Sequence, residues 1–353
     1  MKKNMYLLGS FLLFIISIFG LFPIFPKSVS TFNTIKGSLL INRLYDAPLN
    51  LTLIYSDLEG MTTRPYQVTA SKITPIQTSY AHYTEGFIET DRSDKLLEAI
   101  NTYRVFQNLA PITYYYNYIE LDGFAFVSLI DDLHALYIVN LSNFEVTCPA
   151  FDSHFAKERQ YVYHIVEGEN AYYILTAQAN SYDAFWYALD KDDFNLVASK
   201  QILPPSRAVS RNQYALDTHG NAYFIGTNSL LMVTATDEYI HIPLNFNPDL
   251  LYYTNDKLYV FSLSELFLSY ASYSEEIGIV DYGQFNLPNK FVSLVSLSIK
   301  EDTLYTVTYD PTHVLYRNYI TLYNLENQHM LYCLALKPYP NHALFLQAVE
   351  YDF

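Results

Sequence analysis

Three observations in the sequence predict an all-β protein. The composition is that of sheets, with 35 Tyr and 23 Phe against only 11 Gly, and aromatic side chains suit a pleated, half-buried surface. From Ile112 onward, short apolar runs alternate with polar turns. These runs recur with a loose period averaging 42 residues. That period narrows the class to a β-propeller of about seven (six to eight) four-stranded blades, preceded by one N-terminal transmembrane helix. The expected organisation is a cytoplasmic stub and transmembrane signal-anchor over 1–30, then an extracytoplasmic propeller over 31–353 with a helical insertion near 93–109.

Asn4 to Pro26 carries no charge, and Met5 to Phe25 is almost wholly Leu, Ile and Phe. About 20 apolar residues in a helix cross the roughly 30 Å hydrocarbon layer, and a secretory signal has a core of only about 7–15. The stretch therefore reads as an uncleaved anchor. Pro23 and Pro26 at its outer end, followed by Ser28-Val29-Ser30 as a small-x-small site, keep a cleaved signal peptide as the alternative. There is no Cys near Gly20–Ser30 to acylate. Lys2 and Lys3 predict that the N-terminus stays in the cytoplasm, with one span in the cell membrane and the bulk of the chain outside.

All 36 acidic residues lie beyond this stretch; with 19 of the 21 basic ones they give the outer segment a formal charge of −17. That charge argues against nucleic acid, whose binding is driven by neutralising phosphates, and against lying flat on anionic lipid. It supports solubility and is compatible with cationic partners. Cys148 and Cys333 fit no metal pattern and read as two thiols that never meet, a single disulfide being the alternative.

Residues 31–91 read as irregular β. Ser38–Leu44 and Leu51–Tyr55 are apolar enough for strands, Tyr66–Ser71 and Ile73–Tyr80 are weaker, and Pro48, Pro65 and Pro75 suit edges and loops. The spacing of Leu96, Leu97, Ile100, Tyr103 and Leu109 predicts a helix over about Asp94–Asn108. Ser93 is the expected N-cap and Pro111 the stop. Nothing chemical sits on this helix, which is expected to pack on the outside of a sheet.

Beyond it, Tyr161–Val166, Ala171–Ala177, Ala184–Leu189 and Asn195–Ile202 are joined by short turns into a four-stranded meander. The unit recurs. Gln213–Asp217 and Ala222–Gly226 flank Thr218–Asn221, with Ser229–Thr234 and Tyr239–Leu244 following. Leu250–Thr254 and Lys257–Ser262 flank Asn255-Asp256. Val292–Ile299 and Thr303–Thr308 flank Lys300–Asp302, and Phe124–Ile130 and Ala135–Val139 flank Asp131-Asp132. Each polar turn leads into a strand with an early Tyr: Tyr137, Tyr172, Tyr223, Tyr259 and Tyr305, spaced 35, 51, 36 and 46 residues. A lone blade cannot bury both faces, so blades pack radially. Ala343–Tyr351 is expected to close the ring by pairing near Ser38–Leu44, because a ring must join its ends.

Asp217-Thr-His-Gly220-Asn221-Ala-Tyr223-Phe-Ile-Gly226 resembles the D-x-x-G-N-x-Y hairpin of bacterial propeller repeat proteins, the broad group with NHL, SBBP and quinoprotein-like blades. Gly168-Glu169-Asn170-Ala171-Tyr172 is a half match. The resemblance implies a fold and nothing about activity, since propellers host lectins, hydrolases, lyases and scaffolds. Trp186 is the sole Trp, so the tryptophan docking of quinoprotein blades cannot be built.

The sequence singles out no catalytic, cofactor-binding or metal-binding residue. The nine histidines form no H-x-H or H-E-x-x-H spacing, and His164, His219 and His241 read as strand or turn residues. Asp190, Asp192 and Asp193 are the densest acidic group, but they lack an EF-hand's Gly and Glu, and Asp favours turns. Asp131-Asp132 and Glu275-Glu276 are weaker still. G-x-S-x-G and Walker motifs are absent. Tyr114–Tyr116 with Tyr118, and Tyr270 with Tyr273, offer either a stacking platform or filling for blade interfaces. The function expected is a binding or accessory module for a protein or cell-envelope polymer. A propeller enzyme, a glycan or lactone hydrolase or lyase with its site on the central axis, is the alternative.

Overall fold

The computed structural model describes residues 33–34, 40–43, 50–56, 63–69, 73–83, 86–113, 117–129, 136–149, 160–178, 183–206, 211–264, 267–275, 278–288, 293–310, 312, 317–336 and 345–352. The expected membrane stretch, Tyr114–Tyr116 and Asp131-Asp132 lie outside these residues. Among the described residues no helix is long and apolar enough to cross a membrane.

Six sheets form a β-propeller. Blade 2 runs Asn117–Leu121, Phe124–Ser128, Leu136–Asn140 and Val146–Thr147. Blade 3 runs Gln160–Glu167, Ala171–Gln178, Ala184–Asp190 and Leu196–Ile202. Blade 4 runs Tyr214–Leu216, Ala222–Gly226, Ser229–Val233 and Tyr239–Pro243. Blade 5 runs Leu250–Thr254, Lys257–Leu263, Phe267–Ser274 and Gly278–Asn286. Blade 6 runs Ser293–Lys300, Thr303–Tyr309, Asn318–Asn324 and Met330–Leu336. Each is an antiparallel meander, with its strands in chain order across the sheet.

Blade 1 is assembled from both ends of the chain. Phe345–Asp352 pairs with Asn50–Ser56, which continues to Thr63–Val68 and Ile73–Pro75. The C-terminal strand therefore closes the ring as expected, but on a different partner. The segment near Ser38–Leu44 goes elsewhere. Leu40–Arg43 pairs antiparallel with the outer strand of blade 6, and Asn33–Thr34 pairs with Leu40 and Ile41. The first strands of blades 2 to 6 and Phe345–Asp352 lie side by side around the axis. An innermost position was the one blade 1 lacked, and the C-terminal strand fills it.

Most strands are apolar on both faces because both are covered. Phe126, Leu136 and Ile138 of blade 2 share a core with Ile174 and Tyr187 of blade 3. Trp186 and Leu175 of blade 3 meet Tyr214 and Phe224 of blade 4. Met232 of blade 4 meets Val260 and Tyr273 of blade 5. Phe285 of blade 5 meets Tyr323 of blade 6, and Tyr332 of blade 6 meets Leu53 of blade 1.

The recurring Tyr has a different phase from the one the spacing suggests. Tyr173, Tyr223, Tyr259 and Tyr305 sit in second strands and each packs toward the following blade. Tyr172 faces the preceding blade, and Tyr137 is on a third strand. A one-residue offset in a strand reverses the face, and adjacent tyrosines hide it.

The ring holds six blades rather than about seven, because dividing length by period treats every residue as blade. Much of the stretch between blades 1 and 2 is instead an insertion: the hairpin Tyr80–Tyr83/Gly86–Glu89 and the helix Thr90–Phe106. Ala125, Val127, Tyr137 and Val139 turn away from blade 3 and pack on Ile88, Leu96 and Ile100 of this insertion. The hairpin is tied to blade 1, where the Thr63 hydroxyl donates to Tyr80 O at 2.6 Å. Helix and hairpin thus fill the seam between blades 1 and 2.

The helix starts earlier than Ser93 predicts. Its N-cap is Glu89, without a side-chain cap bond, because the preceding strand runs directly into it; Ser93 is buried in the helix. Nor does Pro111 end it. Asn108 takes a left-handed φ of 60° and the Leu109 N–H donates to Arg104 O at 2.8 Å, the usual way of satisfying last-turn carbonyls. Cys148 and Cys333 are both free thiols.

Candidate functional site

In an up-and-down blade the turns between strands 1 and 2 and between strands 3 and 4 emerge at one end. Contacts between blades place these hairpins on one face of the ring. The Tyr172 hydroxyl of blade 3 donates to Asp122 of blade 2 at 3.4 Å. Trp186 Nε1 of blade 3 donates to Gly220 O of blade 4 at 2.8 Å. Asn221 Nδ2 of blade 4 donates to Glu275 Oε2 of blade 5 at 3.2 Å.

The D-x-x-G-N-x-Y hairpin lies at the centre of this network. Asp217 is buried, and its Oδ1 accepts the N–H groups of His219 and Asn221 at 2.9 and 2.8 Å. Its Oδ2 accepts Asn221 Nδ2 at 2.9 Å and the Tyr223 hydroxyl at 2.8 Å. A carboxylate has about four acceptor positions, and all are used. Gly220 adopts φ +82°, and an added Cβ would lie 2.8 Å from the Tyr173 ring. The motif is thus explained residue by residue as a hairpin keystone.

A cleft of about 620 Å³ opens beside it between blades 4 and 5, walled by Tyr223, Tyr253 and Tyr273 with His219, Asp256 and Glu275. Burial is the main cause raising all three phenols above the ordinary value, and carboxylates add to it: Asp217 for all three, Glu275 for Tyr223 and Tyr273, and Asp256 for Tyr253. Burial disfavours any charge, whereas the carboxylate contribution favours a cation over an anion. Asp217, His219 and Glu275 each bring one ligand atom within 4.8 Å of the others, and His219 Nδ1 lies 3.9 Å from Glu275 Oε2. With Asp217 saturated by its own hairpin, metal ligation would require breaking that hairpin. The spare acceptor capacity in the cleft belongs to Asp256 and Glu275. Each takes one donor, the Tyr253 hydroxyl at 3.3 Å and Asn221 Nδ2 respectively.

The same face gathers charge. Exposed acids come from blade 2 (Glu120, Asp122), blade 3 (Glu169, Asp192, Asp193), blade 4 (Asp237, Glu238), blade 5 (Asp256, Glu275) and blade 6 (Glu301, Asp302, Glu326). Its lysines include Lys191, engaged by Glu167, together with Lys257 and Lys300 in the hairpins of blades 5 and 6. Among the described residues the opposite face carries Asp183, Asp249 and Asp310 against Arg64 and Arg317.

Asp190, Asp192 and Asp193 lie on the outer hairpin of blade 3. Asp190 Oδ1 accepts the N–H groups of Asp192 and Asp193, and Asp193 accepts both the N–H and the Nδ2 of Asn195. Blade 2 repeats the arrangement with Asn140 and Asn143, and blade 6 with Asn324 and Asn327. Phe144, Phe194 and Gln328 hold matching positive φ angles. This thrice-repeated Asp/Asn spacing is a repeat signal that the Tyr period obscured. Of the aromatic pairs, Tyr270 and Tyr273 are buried in two different blade interfaces. Tyr118 is half-buried and donates to Glu120.

The axis holds a cavity of about 470 Å³ between the inner strands of blades 2 to 5. Ile119, Leu121, Leu216 and Leu251 line it, with His164, Glu167 and Asp256 as its imidazole and carboxylate groups among the described residues, beside Tyr163, Tyr252 and Tyr253. His241 lies exposed on the outer strand of blade 4.

No protein-family model matches the chain, and no curated protein matches it. Among solved structures it is similar to hydrazine synthase of Kuenenia stuttgartiensis, at 13% identity and a TM-score of 0.40, over 58% of this chain and 60% of that one. It is also similar to Kluyveromyces lactis Hsv2, at 7% identity and 0.43 over 78% and 74%. Dihydro-heme d1 dehydrogenase NirN matches at 10% identity and 0.41 over 93% and 79%. At such identities the likeness concerns the fold alone, and the six-bladed β-propeller stands on its own strand pairing.

Proposed function

We propose that the chain is a membrane-anchored, extracytoplasmic β-propeller that works as a binding or accessory module for a protein or cell-envelope polymer. The observation that carries the binding part is the concentration of exposed acids on the hairpin face, beside a cleft with aromatic walls. A face on which acids outnumber lysines steers and selects partners more than it stabilises a fold. The uncharged stretch from Asn4 to Pro26 supports the anchor.

The alternative, a hydrolase or lyase working on the central axis, draws on His164, Glu167 and Asp256 in the axial cavity. Glu167 there is already held by Lys191.

The test uses the full-length protein in cells. Photo-crosslinkers at Asp192 and Glu326 on the hairpin face should give a discrete adduct, and one at Val197 on the outer strand of blade 3 should not. Adducts at all three sites alike, or at none, would remove the binding reading. Release of the protein by alkaline extraction would remove the anchor.

A further inference from the structure

The binding reading leaves the partner's chemistry open. Resting on that reading, we infer that the hairpin face docks a basic polypeptide segment, and that the cleft between blades 4 and 5 receives one of its lysine or arginine side chains.

Four features converge on this. The cleft, about 620 Å³, falls within the roughly 300–1,000 Å³ of small-ligand sites. The partly exposed Tyr253 lines it, with the buried Tyr223 and Tyr273 behind as its apolar base, and the electron-rich face of an aromatic ring attracts ammonium and guanidinium groups. Asp256 and Glu275 offer acceptors that the fold does not saturate. The three phenols are all raised in part by neighbouring carboxylates, so the field inside is negative. Among the described residues lining the cleft there is no lysine or arginine, and His219 lies on the exposed rim.

The surroundings explain why a chain, and not a bare ion, is the better fit. The Tyr253 side chain at the cleft accommodates the alkyl stem of a long basic side chain while its head meets the carboxylates. A hard cation would need several close oxygens, and Asp217 has none to spare. Around the cleft, Glu238 of blade 4 and Asp302 of blade 6 continue the charge to either side, while Asp237 already has Lys200 Nζ at 3.9 Å. Flanking basic residues of the same segment would meet these at the surface.

The test measures fluorescence anisotropy of a labelled hexalysine peptide with the full-length protein in detergent. Binding is expected at low salt and should weaken as salt screens the exposed charges. The Asp256→Asn/Glu275→Gln pair should weaken it at least tenfold. The Asp192→Asn/Glu326→Gln pair removes equal charge from the same face outside the cleft and should change it less than threefold. Equal losses in the two pairs would overturn the cleft assignment in favour of a diffuse field. Failure of the unmodified protein to bind hexalysine would overturn the inference, while the cellular crosslinks report separately on the binding module. Cadaverine that displaces the peptide at comparable concentration would make the ligand a free amine and overturn the polypeptide assignment. Thermal melts establish that the variants are folded, and the single substitutions serve if a double variant melts early.

Discussion

The interface between blades 4 and 5 and the seam between blades 1 and 2 solve the same problem by different means. At the first, two sheets pack face to face, with Met232, Val260 and Tyr273 in the core and the Asp217 hairpin binding the rim. At the second, a helix and a hairpin stand between the blades, and Arg104 reaches out of the helix to Tyr137. The difference teaches that radial packing demands a filled wedge, not a particular filler. Regular blades tolerate an irregular neighbour as long as apolar area is covered on both sides.

Substitutions can break each device and so rank them. Phe224 is fully buried where blade 4 meets blade 3. Phe224→Ala should lose about 3–5 kcal/mol in denaturant unfolding, the range for truncating a core aromatic. Ile100→Ala, fully buried in the helical seam, should cost about 2–5 kcal/mol. A value near zero would mean that the insertion is an ornament on the ring.

Asp217→Ala comes next, since it strips the acceptor from the backbone N–H groups of His219 and Asn221, the Asn221 side-chain amide and the Tyr223 hydroxyl. Each unmet buried donor costs about 1–3 kcal/mol, so at least one such penalty should appear in the unfolding curve. Its counterpart at the seam is Arg104→Met. That change removes the bonds from Nε to Ala110 O and from Nη1 to Tyr137, both 2.7 Å, at a cost of about 1.5–3 kcal/mol for hydrogen bonds to a charged group. If it costs more than Asp217→Ala, the seam is the more polar joint of the two.

The gentlest probe is pH. Tyr172 is pushed up to about 12, chiefly by burial and then by Asp122 and Glu167, and burial pushes the Cys333 thiol up to about 12. A folded-state value above the unfolded one gives stability that is complete below the unfolded value and is lost as pH rises toward the folded one. Unfolding midpoints should therefore decline between about pH 9 and 12. A flat profile over that range would contradict the burial of both groups.

What the sequence made legible follows the same division. Blades 3 and 4 could be read almost strand by strand, because their turns are short and polar and their strands apolar. Ring closure by Ala343–Tyr351 was legible in kind. Its partner was not, because Ser38–Leu44 and Leu51–Tyr55 are equally strand-like and only the missing inner place in blade 1 decides between them. The cleft was barely legible. Asp256 and Glu275 belong to different hairpins, and nothing in their local sequence marks them as neighbours of Asp217.

The pairing of Asn50–Ser56 with Phe345–Asp352 also sets a timetable. These strands lie roughly 300 residues apart in the chain, and contacts of such long range are slow to form because loop closure must come first. Blades 2 to 6 can each assemble from neighbours as the chain emerges. Blade 1 must wait with its inner edge open, and an unpaired edge is a template for mispairing. The ring is thus a circuit whose closing switch is the arrival of Phe345–Asp352. The interval before that moment is when this molecule is most exposed to pairing with the wrong chain.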